Sequence, residues 1–379
     1  MKRTLLATID FPPQTGGVAN YWANLCRELS SDSLVVLAPE ATNSIDFDVK
    51  QEYSVYRQNL INKNKWLWPK WLPLFLSVGR LIKSERIEFL IVAQILPIGI
   101  IAYIHKKLFN LPYGVSLHGL DLNLTQVNFR KKWITKLILN SADWIIVNSE
   151  FTKRLIKKYF PEIKLKIEIV YPCPNINSEN VSQVIKDNLI VKNDLSGKKI
   201  ILTVGRLVER KGQDMVLKSF LKVFEKVPEA RYVIVGQGPD QARLKQLVLD
   251  LGLGNQVIFY DKVDDSELPA FYDLADVFVM PCRELPDGDV EGFGIVFLEA
   301  GVYKKPVIAG RSGGAVEAVE HNITGIVVDP NNEKEIAEAI IYLLQNPEHA
   351  RALGENGYAR VQEKFNWAEQ AKILNNLLQ

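Results

Sequence analysis

Three cysteines in 379 residues, Cys26, Cys173 and Cys282, share no metal-like spacing, and their odd number argues against a disulfide framework. Histidine is nearly as scarce, with four in the chain. Long apolar runs are missing too. The longest, residues 89–104 (FLIVAQILPIGIIAYI), is broken by Gln94 and Pro97, whereas a membrane span needs about 20 apolar residues. It reads instead as a buried strand followed by a helix. The start, MKRTLLATIDF, is basic then apolar, but Asp10 and Pro12 cut it short of a signal-peptide core. These absences predict a cytoplasmic protein without a transmembrane segment. Heptads, solenoid repeats and low-complexity tracts are absent. The net charge is only +2, and a nucleic-acid-binding domain would be more basic.

What is present is globular: 47% of residues are apolar and 24% charged. The chain is too long for one compact core, which predicts two domains. Their charges differ. Residues 1–180 hold 23 Lys/Arg against 15 Asp/Glu (+8), and the remainder 23 against 29 (−6). The first half suits an anionic surface or acceptor. Apolar, β-branched runs alternate with longer amphipathic segments. They fall at 4–9, 33–38, 89–93, 113–117 and 144–148, then at 200–205, 231–236, 256–260, 277–280, 306–309 and 325–328. Continuous apolar strands separated by helices indicate parallel sheets covered on both faces. Two such series predict an α/β chain of two doubly wound, Rossmann-like domains facing across a cleft. The polar stretch 176–198, without an apolar period, reads as the linker.

In such sheets ligands bind beyond the carboxyl ends of strands, and the candidate motifs lie there. In DVEGFGIVFLEA (289–300), Glu291 and Glu299 stand eight residues apart, within roughly 80° of each other on a helix. The Gly-Phe-Gly turn between them can present N–H groups at a helix start, which attracts anions. In VGRLVERKG (204–212), Arg206 follows a strand and Lys211 opens the next helix; two cations there can embrace a diphosphate. Gly16-Gly17 and Gly236-Gln237-Gly238 also follow strands. Each permits close approach of a phosphate or sugar, or simply makes a tight turn. His118 ends a strand and either hydrogen-bonds a sugar hydroxyl or is structural; Asp121 reads as a cap. Two Asp-x-Asp triplets occur. Asp46-Phe47-Asp48 reads as a solvated loop, and Asp287-Gly288-Asp289 lies beside Glu291, where Arg206 and Lys211 can neutralise phosphates without a metal. Trp66, Trp68 and Trp71 interleave with Lys63, Lys65 and Lys70, and FRKKW at 129–133 repeats that chemistry, which suits either a membrane interface or core packing with a solvated face. Asn123, Asn180 and Asn322 open Asn-x-Ser/Thr triplets that carry no weight in a cytoplasmic protein.

The order GG…HG…GR…RKG…EGFGIVFLEA resembles the retaining glycosyltransferases of family 4 over essentially the whole chain. The resemblance implies the GT-B fold, with an acceptor-binding domain at 1–178, rejoined by a helix at about 365–379, and a nucleotide-sugar-binding domain at 179–364. It further implies that Arg206 and Lys211 hold the donor diphosphate, Glu299 the ribose and Glu291 the sugar. Backbone groups of Phe293, Gly294 and Ile295 would contact sugar or phosphate. Base recognition would fall around 260–264, at Val263. Gly17 and His118 would complete the site, with Gly16, Gly17 and His118 on the acceptor side. Catalysis would rest on Glu291, His118, Arg206 and Lys211, with no cofactor and no required metal. VEGFGIVFLEA and AGRSGGAVEAV look especially similar to bacterial mannosyltransferases that modify phosphatidylinositol-type lipids with GDP-mannose. That implies transfer of a hexose from GDP-mannose or a UDP-sugar to a hydroxyl, on a lipid-linked acceptor or a glycan precursor, with peripheral contact at the inner face of the plasma membrane. YPCPN at 171–175 departs from the family pattern, where relatives often carry a glycine and an acid. Two other functions fit the fold: a nucleotide-sugar 2-epimerase, and a non-catalytic nucleotide-sugar- or membrane-binding module.

Overall fold

The computed structural model describes residues 1–14, 16–62, 69–126, 128–176, 178 and 181–379. Trp66 and Trp68, with Lys63 and Lys65, and the triplet start Asn180 therefore lie outside the described residues. The chain divides into two compact units, Met1–Pro172 with Trp367–Gln379, and Cys173–Asn366. The division at 172/173 falls inside YPCPN.

The first unit holds a parallel sheet of β1 (Thr4–Ala7), β2 (Leu34–Pro39), β3 (Ser54–Gln58), β4 (Phe89–Val92), β5 (Tyr113–Leu117), β6 (Trp144–Val147) and β7 (Ile167–Ile169). Their order is β3-β2-β1-β4-β5-β6-β7. Alternate residues serve opposite faces, as the strand period requires. Leu5, Ala7, Val35, Leu37, Leu90 and Val92 pack on one side. Leu6, Val36, Ala38 and Ile91 pack on the other with Trp22 and Leu25 of the helix Gly17–Arg27, and with Ala371 and Leu374 of the terminal helix Trp367–Leu377. Residues 89–104 do form a strand and the start of a helix, Ile98–Phe109.

The second unit holds β8 (Lys199–Val204), β9 (Ala230–Val235), β10 (Val257–Tyr260), β11 (Val277–Met280), β12 (Val307–Gly310) and β13 (Gly325–Val328). They are parallel and ordered β10-β9-β8-β11-β12-β13. Val216, Phe220 and Val223 of the helix Gln213–Lys226 cover one face, against Tyr232, Ile234 and Val279. Strand order reverses at β1/β4 and at β8/β11, and loops leaving such switch points splay apart to leave a crevice.

Two strands escape the sequence pattern. β3 (SVYRQ) and β7 (IEI) are the edges of the first sheet. Their Arg57, Gln58 and Glu168 break the apolar run because an edge strand is covered on fewer sides. The stretch 176–198 is not simply linker. It contains the helix Gln183–Lys192, capped by Ser182, whose side chain accepts from the Ile185 N–H. Leu189 alone of that helix is buried, so no apolar period marks it. Asp46-Phe47-Asp48 is no solvated loop either: it ends the helix Ser44–Asp48, and Asp48 accepts two hydrogen bonds from Arg57, at 2.7 and 3.0 Å.

Phe220 is fully buried and stacks on Tyr232 with ring centroids 6.1 Å apart. Phe220→Ala is expected to lower stability by about 3–5 kcal/mol, read as a fall in the urea midpoint. An unchanged midpoint would mean that this helix is not packed as described.

Candidate functional site

The second unit's site is built from loops that leave β8, β11 and β12 and press backbone against backbone. Gly212 has φ of 76°, and a Cβ there would stand 2.3 Å from the Pro281 carbonyl oxygen. At Gly314 a Cβ would stand 2.1 Å from the Gly292 oxygen, while the Gly314 N–H donates to the Glu291 carbonyl at 2.8 Å. Only glycine permits both approaches. The Gly236-Gln237-Gly238 loop buttresses this assembly: the Leu207 N–H donates to the Gln237 carbonyl at 2.9 Å, and the Asp240 N–H to the Leu207 carbonyl at 3.1 Å. Arg283 adds a clamp. Its guanidinium grips Asp214 through two hydrogen bonds, at 3.0 and 2.9 Å, both side chains being buried, and its backbone N–H donates to the Arg210 carbonyl at 2.8 Å.

Glu291 sits in this nest, not on a helix. The helix begins at Ile295 and ends at Val302, so the 80° relation to Glu299 does not apply. Glu291 Oε2 lies 2.5 Å from Lys211 Nζ and 2.6 Å from Arg210 Nη1, and Arg210 Nε reaches Asp289 Oδ1 at 3.1 Å. Burial alone pushes the Glu291 pKa up, but Lys211 and Arg210 outweigh it and hold the group at about 2. Lys211 closes a 3-10 turn, Glu209–Lys211, rather than opening the helix, which starts at Gln213. A Cβ on Gly205 would meet Lys211 Cε at 3.9 Å and Nζ at 4.0 Å, so the ammonium lies against the end of β8. Arg206, next in the chain, is exposed and has no ion-pair partner among the described residues.

Glu299 lies on the helix Ile295–Val302, whose N-cap Gly294 has φ of 92°. Phe293 is buried against Phe365, ring centroids 5.6 Å apart. The Tyr272 hydroxyl donates to Glu299 Oε2 at 2.6 Å. Burial raises the Glu299 pKa, while Tyr272 and Lys211 act against it. Val263 is half-buried in the loop between β10 and the helix Leu268–Leu274.

In the first unit, Gly16 is the extended N-cap of the helix that begins at Gly17. A Cβ on either glycine would meet no atom within 4 Å, so the fold itself does not demand glycine there. His118 follows β5 and meets Tyr21 edge-on at 5.1 Å, with Nε2 3.2 Å from Ser116 Oγ. Asp121 caps the turn, its carboxylate accepting the His118 and Leu122 N–H groups at 3.1 and 3.0 Å. Burial lowers the His118 pKa to about 4 and raises that of Asp121 to about 6.

The family model of group 1 glycosyl transferases matches residues 185–360, and that of glycosyltransferase family 4 matches residues 15–177. A GDP-mannose-dependent alpha-(1-6)-phosphatidylinositol monomannoside mannosyltransferase of Mycolicibacterium smegmatis is 31% identical over 380 residues, covering 99% of this chain and 97% of the relative. The chain is a family 4, group 1 glycosyltransferase. A Corynebacterium glutamicum relative, a GDP-mannose-dependent monoacylated alpha-(1-6)-phosphatidylinositol monomannoside mannosyltransferase, is 29% identical over 392 residues, covering 100% and 98%. Among solved structures, HepE of Anabaena in complex with UDP superposes with a TM-score of 0.81 at 19% identity, covering 100% and 99%, which fixes the fold as GT-B. Among the described residues no helix is long and apolar enough to cross a membrane.

The glycosyltransferase's second unit therefore brings Lys211 and Glu291 into contact, with Glu299 one helical turn past the glycine loop. Gly16, Gly17 and His118 belong to the first unit. Sequence reasoning missed Arg210, which stands inside VERKG beside Lys211; adjacency was its only signal. Tyr272, Arg283 and Asp214 left none, because each matters through a partner 27 to 69 residues away.

With its pKa near 4, His118 is neutral at pH 7. The unfolded chain takes up this proton from about pH 6.5, so stability from His118 is present above pH 6.5 and is lost as pH falls toward 4. Asp121 works oppositely between pH 6 and 4, and the two partly cancel. An NMR titration of the imidazole separates them: resonances of His118 unchanged down to pH 5 are expected, and a midpoint near 6.5 would show the ring to be solvated.

Proposed function

We propose that this glycosyltransferase moves a hexose from a nucleotide-diphosphate sugar, GDP-mannose before a UDP-sugar, to a hydroxyl of a lipid-linked acceptor with retention of configuration and without a metal. The observation that carries the reading is Glu291, ionised between Lys211 and Arg210 at the carboxyl ends of β8 and β11. Full-length similarity to mannosyltransferases supports the donor and acceptor assignments. Arg206, exposed beside Lys211, supplies a second cation for the diphosphate. Glu291 accepts a hydrogen bond from the sugar, Glu299 from the ribose. The N–H groups around Phe293, Gly294 and Ile295 meet sugar or phosphate, and Val263 contributes backbone to the base. Gly16 and Gly17 admit close approach of donor or acceptor, and neutral His118 hydrogen-bonds a sugar hydroxyl.

The reaction needs no protein nucleophile. The C1–O bond to the diphosphate breaks while the acceptor oxygen bonds to C1 on the same face. The acceptor proton passes to the departing phosphate oxygen. Protein catalysis is then positioning plus charge stabilisation on the leaving group. The negative charge of the diphosphate falls to Lys211 and Arg206, and Asp289 is already paired to Arg210. Acceptor contact with a membrane is supported by the helix Phe129–Ser141, where Phe129 (82% exposed) and Trp133 (54% exposed) stand beside exposed Arg130, Lys131 and Lys132. Apolar rings with adjacent cations suit an anionic interface.

Thermal unfolding against GDP, UDP, ADP and dTDP tests the donor. A ligand at a hundred times its dissociation constant adds about 2.7 kcal/mol of stability. Stabilisation by GDP, lost in Arg206→Ala, is expected; no response to any nucleotide would sink the reading. Glu291→Ala should lower transfer about a hundredfold or more, since a single preorganised interaction is worth about 3 kcal/mol. Nucleotide release that depends on an acceptor would exclude an epimerase, which returns the sugar to the diphosphate, and a binding module would keep its only activity in Glu291→Ala. Transfer should persist in EDTA.

A further inference from the structure

We infer that Tyr272 is a positioning residue for the donor's ribose, acting through Glu299; this rests on the reading of Glu299 given under Proposed function. Its hydroxyl donates to Glu299 Oε2 at 2.6 Å. Among the described residues no group hydrogen-bonds to the other oxygen, Oε1. One oxygen is thus fixed by the protein and the other is left for a vicinal diol. Carboxylates accept through both oxygens, and a carboxylate free to turn about its last bond would lose that register.

Tyr272 is itself held rigidly. It is fully buried, and its ring lies parallel to Tyr303, at 7° with centroids 5.6 Å apart, and close to parallel with Phe278 on a 5.9 Å centroid distance. Phe278 is met edge-on by Phe297, which belongs to the same helix as Glu299. The hydroxyl therefore has one place to go. Its helix, Leu268–Leu274, follows directly on the loop after β10 that contains Val263. The hydrogen bond joins the segment assigned to the base with the carboxylate assigned to the ribose, and couples recognition of the two.

A phenol in the core needs a hydrogen-bond partner in any case, so a fall in stability alone would not separate positioning from packing. The deciding readout is discrimination between GDP and its 2′,3′-dideoxy counterpart, measured by calorimetry. Wild type should prefer GDP, and Glu299→Gln should erase most of that preference. Tyr272→Phe, which removes one oxygen atom and keeps the ring stack, should weaken GDP about five- to tenfold, within the range for loss of one ordinary hydrogen bond because the effect on ribose is indirect. It should leave the dideoxy form unchanged. Equal weakening of both ligands, or of neither, overturns the role of Tyr272. A wild type that binds both forms alike, with no change in Glu299→Gln, refutes the ribose assignment itself. If Tyr272→Phe fails to fold, Tyr303→Leu, which removes one side of the stack and leaves the hydroxyl, should give the same selective loss in weaker form; loss of both ligands together would again overturn the proposal.

Discussion

Two ion pairs that meet on one carboxylate organise the second unit's site. Glu291 is taken out of water, a step that costs several kcal/mol unless it is compensated, and Lys211 and Arg210 supply the compensation from one side of the crevice. The loops follow from this. Arg210 and Lys211 close the turn after β8, Glu291 comes from the loop after β11, and the ion pairs can form only if the two loops meet at backbone distance. Glycine at 212 and 314 allows the approach, and the Arg283–Asp214 clamp fixes the Arg210 segment independently of the charges it presents. Removing Glu291 would strand Lys211 as a buried charge, whereas Arg210 would keep Asp289, and removing either cation would leave Glu291 paired to the other.

The electrostatics also say what Glu291 is suited to do. A carboxylate with a pKa of about 2 does not serve as a general acid near neutral pH, and one gripped by two cations is a poor nucleophile. It remains a strong hydrogen-bond acceptor. Cys282, whose thiol points toward Glu291 at 3.9 Å, is no better candidate, since burial pushes its pKa up to about 12. Neither Glu291 nor Cys282 is thus an activated nucleophile, in keeping with the proposed reaction, in which the leaving group carries the charge and takes the proton. Lys211 contributes twice, because it lowers the pKa of both Glu291 and Glu299. An anion arriving at that ammonium would compete with both carboxylates and raise their pKa values.

Much of the fold was legible because buried parallel strands write themselves as unbroken apolar runs. Strands β5, β11 and β13 fall on the residues expected, and the others within one or two. The two edge strands and the helix Gln183–Lys192 did not show, for a shared reason: each is covered on one side or less, and its sequence is free to be polar. At the site, Lys211 was singled out as the cation following Arg206, and Glu291 by its spacing from Glu299 across a Gly-Phe-Gly turn; the structure brings Lys211 and Glu291 into contact. Arg210 was invisible, since nothing in the order of letters shows that it turns inward together with its neighbour Lys211. Arg206 shows the converse: its side chain stays exposed although its strand-end position is the stronger one.

The spacing of Glu291 and Glu299 is instructive because the simplest account of it is wrong. Eight residues would be two helical turns, but Glu291 precedes the helix, and the Gly-Phe-Gly turn with Gly294 at positive φ intervenes. The spacing counts a loop long enough to lay one carboxylate against the β8 turn and a helix just long enough to bury the other beside Tyr272. The two acids consequently live in opposite environments: one is drawn down by full positive charges, the other is pushed up by burial and steadied by a neutral hydroxyl. The neutral Tyr272 hydroxyl holds one oxygen of the second carboxylate and leaves the other without a hydrogen-bond partner among the described residues, whereas a cation in the same place would draw in phosphate. Two glutamates so close in sequence can thus be tuned for different partners because the helix that carries the second begins only after the glycine turn that follows the first.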